Sequence, residues 1–404
     1  MFHFTTLPPL SLYIHIPWCV RKCPYCDFNS HEIRGDLNEN EYIAAMLADL
    51  EQDLPRVYGR TVRSIFIGGG TPSVLSPEAI DNLLSAVRAR LPVAAGAEIT
   101  LEANPGTVDS SRFLGLREAG INRLSLGIQS FNDTTLQRLG RIHGRFEAIS
   151  AIEMAKQAGF DNLNLDLMFG LPEQTVEMAL ADLQTAVRFA PSHLSWYELT
   201  IEPNTVFYHQ SPPLPDEDEL WAMQTAGQTD LADQGYFQYE VSAYAKSDRH
   251  CQHNLNYWQF GDYLGIGAGA HSKISDAALG SITRLSKQRH PQTYLQSAES
   301  DAVVANCTTL TAEEVALEFM MNALRLVEGF TIQAFTENTG LDQASIDKPV
   351  EAACARGWLI KKTEPLIISS EKELNRVQRI HTTDIGMRFL NNVLELFISL
   401  MVND

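Results

Sequence analysis

The chain has 404 residues and a formal charge of −19, with 45% hydrophobic and 20% charged residues. That length exceeds one ordinary core, so two domains, or one barrel with an extension, are expected, and the composition excludes a disordered chain. So acidic a surface repels phosphate backbones and argues against nucleic acid, and no stretch approaches the ~20 apolar residues of a membrane-spanning helix.

Residues 1–9 lack a basic start followed by an apolar run, so the chain is expected to fold and stay in the cytoplasm. Beyond them, short apolar runs alternate with helical stretches. Leu12–Ile16, Ser64–Ile67, Glu98–Glu102, Arg123–Gly127, Asn162–Met168 and His193–Leu199 read as strands. Glu41–Asp53, Pro77–Arg90, Ser110–Ala119, Arg145–Ala158 and Thr175–Phe189 read as the helices between them. Ser76 before Pro77 is a helix start, and Gly120, Gly159 and Gly235 sit where left-handed C-caps belong. Strand–helix repeats build a parallel sheet, because each crossover needs a helix to return the chain. Six such units are fewer than the eight of a closed barrel. The expected fold is therefore α/β, an open, partial (β/α)6 TIM-like barrel with functional groups at its C-terminal strand ends.

From about residue 245 the rhythm changes. His250–His271 is aromatic and glycine-rich and reads as an ordered loop region. Thr311-Ala-Glu-Glu314 is a capping box, followed by an apolar face at Val315, Phe319, Ala323 and Leu326. A helix at Ser345–Arg356, two strands at Trp358–Lys361 and Leu366–Ser369, and a helix at Thr383–Leu400 complete a small α+β unit of winged-helix-like shape. Residues 301–404 carry 9 Lys and Arg against 15 Asp and Glu, so this unit is not read as DNA-binding. The chain is thus divided into a barrel over 1–245, a connecting region over 246–300 and a C-terminal unit over 301–404.

Three of the six cysteines, Cys19, Cys23 and Cys26, fall on one loop after the first strand. Clustered thiolates of this kind are metal ligands, and a cubane iron–sulfur cluster normally takes four. With three here and Cys251, Cys307 and Cys354 far off in sequence, one iron is left for a non-protein ligand. A zinc site would want a fourth ligand such as His15 or His31. Gly68-Gly-Gly-Thr-Pro72 follows the second strand, where glycines let backbone approach a ligand closely. Glu102, Gln129, Arg141 and Asp166 stand at or near strand ends. A carboxylate inside an apolar strand must be paired, so Asp166 needs an internal partner or a ligand.

Cys-x-x-x-Cys-x-aromatic-Cys resembles the signature of the radical S-adenosylmethionine superfamily. The resemblance implies a [4Fe–4S] cluster on the three cysteines whose open iron is chelated by S-adenosylmethionine, with electron transfer that yields a 5′-deoxyadenosyl radical. It places Tyr25 against the adenine. The pocket is similar to that of the oxygen-independent coproporphyrinogen III dehydrogenase branch, which implies that Tyr13, Gly69, Gly70, Thr71, Glu102, Gln129, Arg141 and Asp166 line S-adenosylmethionine. Two departures stand out: Phe28 occupies the position of that branch's further cysteine, and only 18 residues precede Cys19. Both resemble the haem chaperone group of the same branch.

That group carries a His-Asn-x-x-Tyr-Trp motif, matched here by His253, Asn254, Tyr257 and Trp258. An imidazole can ligate haem iron, and aromatic rings cover a flat macrocycle. The bland alternative is a polar turn followed by two core aromatics. His250, Cys251 and His253 lack a fourth partner for zinc, and His271 reads as a packing or hydrogen-bonding residue at a close turn, or as one approaching a ligand. The resemblance implies a haem carrier that delivers to acceptor proteins, respiratory membrane complexes among them, with part of the protein at the membrane and a homodimer left open. Coproporphyrinogen dehydrogenase activity is not expected. A porphyrinogen-modifying radical enzyme and a cluster-bearing sensor are the competing readings.

Overall fold

A computed structural model describes residues 2–365 and 376–401. Its large sheet begins with six strands taken in chain order: β1 (Leu10–Ile16), β2 (Val62–Gly69), β3 (Val93–Ala103), β4 (Arg123–Gln129), β5 (Leu163–Phe169) and β6 (His193–Glu198). Each pairs in parallel with the next. The intervening helices include α1 (Glu39–Asp53), α2 (Pro77–Arg90), α3 (Ser110–Glu118), α4 (Arg145–Gln157) and α5 (Val176–Arg188). The expected partial barrel is therefore what forms. Local chemistry explains the boundaries: the Ser76 hydroxyl accepts from the Ala79 N–H, and Gly120, Gly159 and Gly235 all have positive φ.

The sheet extends further than the sequence indicates. Beyond β6 come β7 (Phe237–Glu240) and β8 (Ala243–Ala245), antiparallel. On the other side β9 (Asp262–Ile266) pairs in parallel with β1, and β10 (His271–Asp276), β11 (Ser281–Lys287) and β12 (Val304–Thr309) follow antiparallel. Twelve strands result among the described residues. His250–His271, expected to be an ordered loop, instead holds a helix, α6 (Gln252–Trp258), and strand β9. Its glycines hid the strand. At Gly265 a Cβ would lie 2.0 Å from the His271 carbonyl oxygen, so the chain needs glycine to fold back so closely. The next strands read as polar because buried charges sit in them. Asp262 accepts from Lys273 Nζ at 2.8 Å and Arg60 at 2.7 Å, while Lys287 Nζ lies 2.6 Å from Asp53 and also bridges Asp49.

Alternation along the strands separates two faces. Leu12, Ile14, Ile65, Ile67, Leu101, Leu124, Leu126 and Leu165 are buried in one core against the helices, each contributing roughly 1.5–3 kcal/mol of apolar burial. The residues between them, such as Tyr13, Ser64, Glu102, Ser125 and Asp166, face the barrel interior. That polar face carries the site.

A second core surrounds Phe319, Phe330, Phe335, Val350 and Phe397 in the C-terminal unit. There α7 (Ala312–Ala323) has the expected capping box at Thr311, and an unforeseen α8 (Ile332–Thr339) precedes α9 (Ala344–Ala355). The three-stranded sheet orders Phe330–Thr331, Arg376–Thr382 and Leu359–Pro365, which with the helices gives the winged-helix-like shape. The expected strand at Leu366–Ser369 lies outside the described residues. The expected helix at Thr383–Leu400 is two, Asp384–Arg388 and Leu390–Met401, broken at Phe389.

Asp262 joins the parallel and antiparallel halves of the sheet. Burial opposes its charge, but Lys273 and Arg60 overcome this and hold its carboxyl below the usual range. Asp262→Ala leaves two cations without their partner and is expected to cost about 3–5 kcal/mol in urea unfolding. This contribution is complete above the ordinary carboxylate range and is lost as pH falls below it.

Candidate functional site

The cluster loop is placed by the glycine turn that ends β2. Gly70 N–H donates to the Ile16 carbonyl and Thr71 N–H to the Trp18 carbonyl, both at 2.7 Å. A Cβ on Gly70 would lie 2.6 Å from the Trp18 oxygen, and one on Gly69, whose φ is +115°, 2.5 Å from the His15 ring. Two backbones can approach so closely only without side chains. The Thr71 hydroxyl then reaches Cys19 Sγ at 3.3 Å, and the Gly69 N–H reaches Glu102 at 3.1 Å.

Cys19, Cys23 and Cys26 line one cavity of about 330 Å³, within the range of small-molecule sites. Each sulfur has a polar neighbour. Arg141 lies 3.6 Å from Cys23 Sγ, and the Ser30 hydroxyl lies 3.8 Å from Cys26 Sγ. Burial raises the Cys19 and Cys26 thiols. Three neighbouring sulfurs lose their protons together when positive charge arrives, and iron supplies it.

Tyr25, Gly69, Gly70, Thr71, Glu102, Gln129, Arg141 and Asp166 line the same cavity, so the structure brings eight of the twelve expected cofactor residues to the three cysteines. Arg141 NH2 donates to the Gly127 carbonyl at 2.6 Å, and its Nε is buried without a hydrogen-bond partner among the described residues. Nearby, His143 ties the Arg141 loop to the Ile128 carbonyl at 3.1 Å. Tyr25 packs among Leu139, Met168 and Phe207, an apolar rack suited to a flat base. Gln129, at φ +68°, accepts from the Tyr197 hydroxyl at 2.8 Å. Asp166 has internal partners after all: Ser125 at 2.8 Å and Asn164 at 2.7 Å. Burial and then the Asp166 charge raise Glu102 to about 7.

The donor set fits a cluster with a cationic amino-acid nucleoside. Cys19, Cys23 and Cys26 would hold iron, Glu102 and the glycine turn the ammonium end, and Tyr25 the base. Bound there, the cluster would supply a single electron to the ligand's sulfonium. Ser125, Ser195, Tyr197 and Asn254 also line the cavity; the first three were missed by sequence reasoning, and Asn254 was expected only as part of the His-Asn-x-x-Tyr-Trp motif. The signal existed for three of them: they occupy the inward positions of β4 and β6.

Four expected residues lie elsewhere. Tyr13 and Tyr257 line a neighbouring cavity. His253 is 1% exposed, stacked on Phe66 at 5.0 Å, with Tyr257 edge-on at 5.0 Å. Its Nδ1 lies 3.2 Å from the Ser64 hydroxyl, and its Nε2 is buried without a hydrogen-bond partner among the described residues. Trp258 lies under the Arg325 guanidinium at 4.3 Å. Glu98 organises this segment by accepting the Gln252 N–H at 2.9 Å at the start of α6.

Residues 13–186 match the Radical SAM superfamily, and residues 310–366 match the HemN C-terminal domain. The chain is 49% identical over 393 residues to the heme chaperone HemW of Escherichia coli (strain K12), covering 97% of this chain and 99% of that one. It is 34% identical over 363 residues to the heme chaperone HemW of Bacillus subtilis (strain 168), covering 88% and 94%. It is also 36% identical over 362 residues to the mitochondrial radical S-adenosyl methionine domain-containing protein 1 of Mus musculus, covering 87% and 81%. The structure of coproporphyrinogen III oxidase (HemN) from Escherichia coli, a radical SAM enzyme, is similar with a TM-score of 0.78 at 23% identity over 97% of this chain and 90% of that one, a likeness of fold.

Two outcomes are expected. Gly70→Ala drives a methyl into the Trp18 carbonyl, so anaerobic reconstitution of this variant should recover little of the wild-type iron, sulfide and charge-transfer absorbance. Binding of S-adenosylmethionine, whose cationic end Glu102 would face, should strengthen as pH rises through about 7, by up to roughly tenfold per unit below that value. Titration calorimetry on Glu102→Gln should show a flatter profile.

Proposed function

The chain belongs to the radical SAM superfamily and, within it, to the heme chaperone HemW family, and on that premise we propose that it binds haem and delivers it to acceptor haemoproteins. Membership brings a [4Fe–4S] cluster and S-adenosylmethionine. The observation that carries the haem reading is the near full-length identity to chains named as heme chaperones. Geometry supports it: an aromatic-walled cavity adjoins the cluster cavity and shares Phe28, Gly69 and Glu102 with it.

The thiol loop, glycine turn and barrel-end carboxylates hold the cluster and S-adenosylmethionine in this reading. The acceptors are haem-requiring proteins, respiratory membrane complexes among them. No helix among the described residues is long and apolar enough to cross a membrane, so a visit to the membrane would be peripheral. Work in the cytoplasm, no role for nucleic acid, and pairing into a homodimer complete the proposal.

The competing activity is radical decarboxylation of coproporphyrinogen III. Phe28, 59% exposed, stands where that branch places a further cysteine. Anaerobic incubation of the reconstituted protein with coproporphyrinogen III, S-adenosylmethionine and a reductant should form no protoporphyrinogen, and accumulation of that product would overturn the chaperone reading. Mixing the haem-loaded protein with an apo-cytochrome should move the Soret absorbance to the cytochrome's position. Haem that stays on the chain indicates a sensor instead.

A further inference from the structure

The cavity beside the cluster site has a volume of about 510 Å³, the scale of a cofactor site. Phe28, Tyr13, Tyr257 and Tyr263 form its wall, with Tyr257 and Tyr263 edge-to-face at 4.4 Å. Such rings offer a flat apolar ligand both area and fixed geometry.

Two imidazoles line it, and they differ in one respect. His15 is fully engaged, its Nδ1 at 3.0 Å from the Tyr13 hydroxyl and its Nε2 at 2.8 Å from the Asn29 carbonyl. His271, the first residue of β10, is exposed, and no side-chain hydrogen bond engages its ring among the described residues. Of the alternatives that its glycine-rich surroundings leave open, approach to a ligand is the one that its place in the cavity wall supports. Burial, then Arg284 and Arg289, hold its pKa below the usual value, which keeps a lone pair free near neutral pH.

The cations divide in the same way. Lys287 is bound to Asp49 and Asp53. Arg289 is exposed and has no carboxylate partner among the described residues. A free imidazole, a free guanidinium and a wall of rings together suit a planar, iron-bearing macrocycle with carboxylate arms.

We propose, resting on the haem chaperone reading above, that haem occupies this cavity with His271 as axial ligand to iron and Arg289 on a propionate. His253 sits behind the wall as a packing residue. Iron reaches its Nε2 only after Phe66, Tyr13 and Tyr257, the rings around it, move aside.

Ferric haem titrated into the cluster-loaded protein tests this. Wild type should give a histidine-ligated Soret band. His271→Ala should shift that band and weaken binding about tenfold or more, and added imidazole should restore the band position. His253→Ala, checked by thermal melting because it opens the barrel interior, should keep the wild-type band. Arg289→Glu should weaken haem by about tenfold yet leave haem dimethyl ester unaffected. The assignment falls if His271→Ala matches wild type in band and affinity, or if only His253→Ala shifts the band and is rescued by imidazole. An equal loss for haem and its ester removes Arg289. Wild type that takes up no haem overturns the chaperone reading itself.

Discussion

Two backbone hydrogen bonds, from Gly70 to Ile16 and from Thr71 to Trp18, hold the end of β2 against the chain leaving β1. The contact works because neither strand has to be ordered for it; both are already fixed in the sheet, so the extra conformational cost is confined to a short turn. From it follow the position of Cys19, the donor on its sulfur and the N–H that meets Glu102. The cluster loop itself has little secondary structure, a two-residue parallel pairing of Trp18–Cys19 with His31–Glu32. Its geometry is therefore borrowed from the barrel.

The barrel can lend that geometry because its strands keep stability and chemistry on opposite faces. Outward aliphatic residues form the core with the helices, and inward polar residues satisfy one another. Asn164 shows how: its amide donates to Ser125 and Asp166 at 2.7 Å each, while its oxygen meets His193 at 2.6 Å. A buried polar network of this kind stabilises only when its members are paired. A slip of one residue in any strand would exchange the two faces, so the hydrophobic core also sets the register of the site.

That division decides what was legible. The six parallel strands and their helices announce themselves through apolar runs and caps, and the thiol spacing with the glycine turn marks the cluster site in the amino-acid order itself. Inward residues such as Ser125, Ser195 and Tyr197 carry no motif; they emerge once strand register is known. The strands after residue 260 escaped for a different reason. Lys287 pairs with Asp49 and Asp53, and Asp262 with Arg60 as well as with Lys273 of the neighbouring strand; partners so distant in sequence leave no local trace, so the segments read as solvated. His253 shows the converse. Its motif is plain in the sequence, yet the neighbours that enclose it come from β1, β2 and α6, and sequence proximity cannot reveal such enclosure.

Charge gives the second cavity its character. In a chain of net charge −19, the cations in and around this cavity are offset only in part. Arg284 is bound by Glu318 and Lys287 by two aspartates, so these cations present little net field outward. Arg289 has no such counterweight among the described residues. A dianionic, planar ligand is repelled by most of this surface, and a low-dielectric mouth holding one uncompensated guanidinium concentrates the attraction at a single place. The aromatic wall then favours the ligand's apolar faces where water would otherwise cover exposed ring surface, Phe28 above all. The acidic surface and the local cation thus act together: one keeps anions off the rest of the molecule, and the other draws them to the cavity.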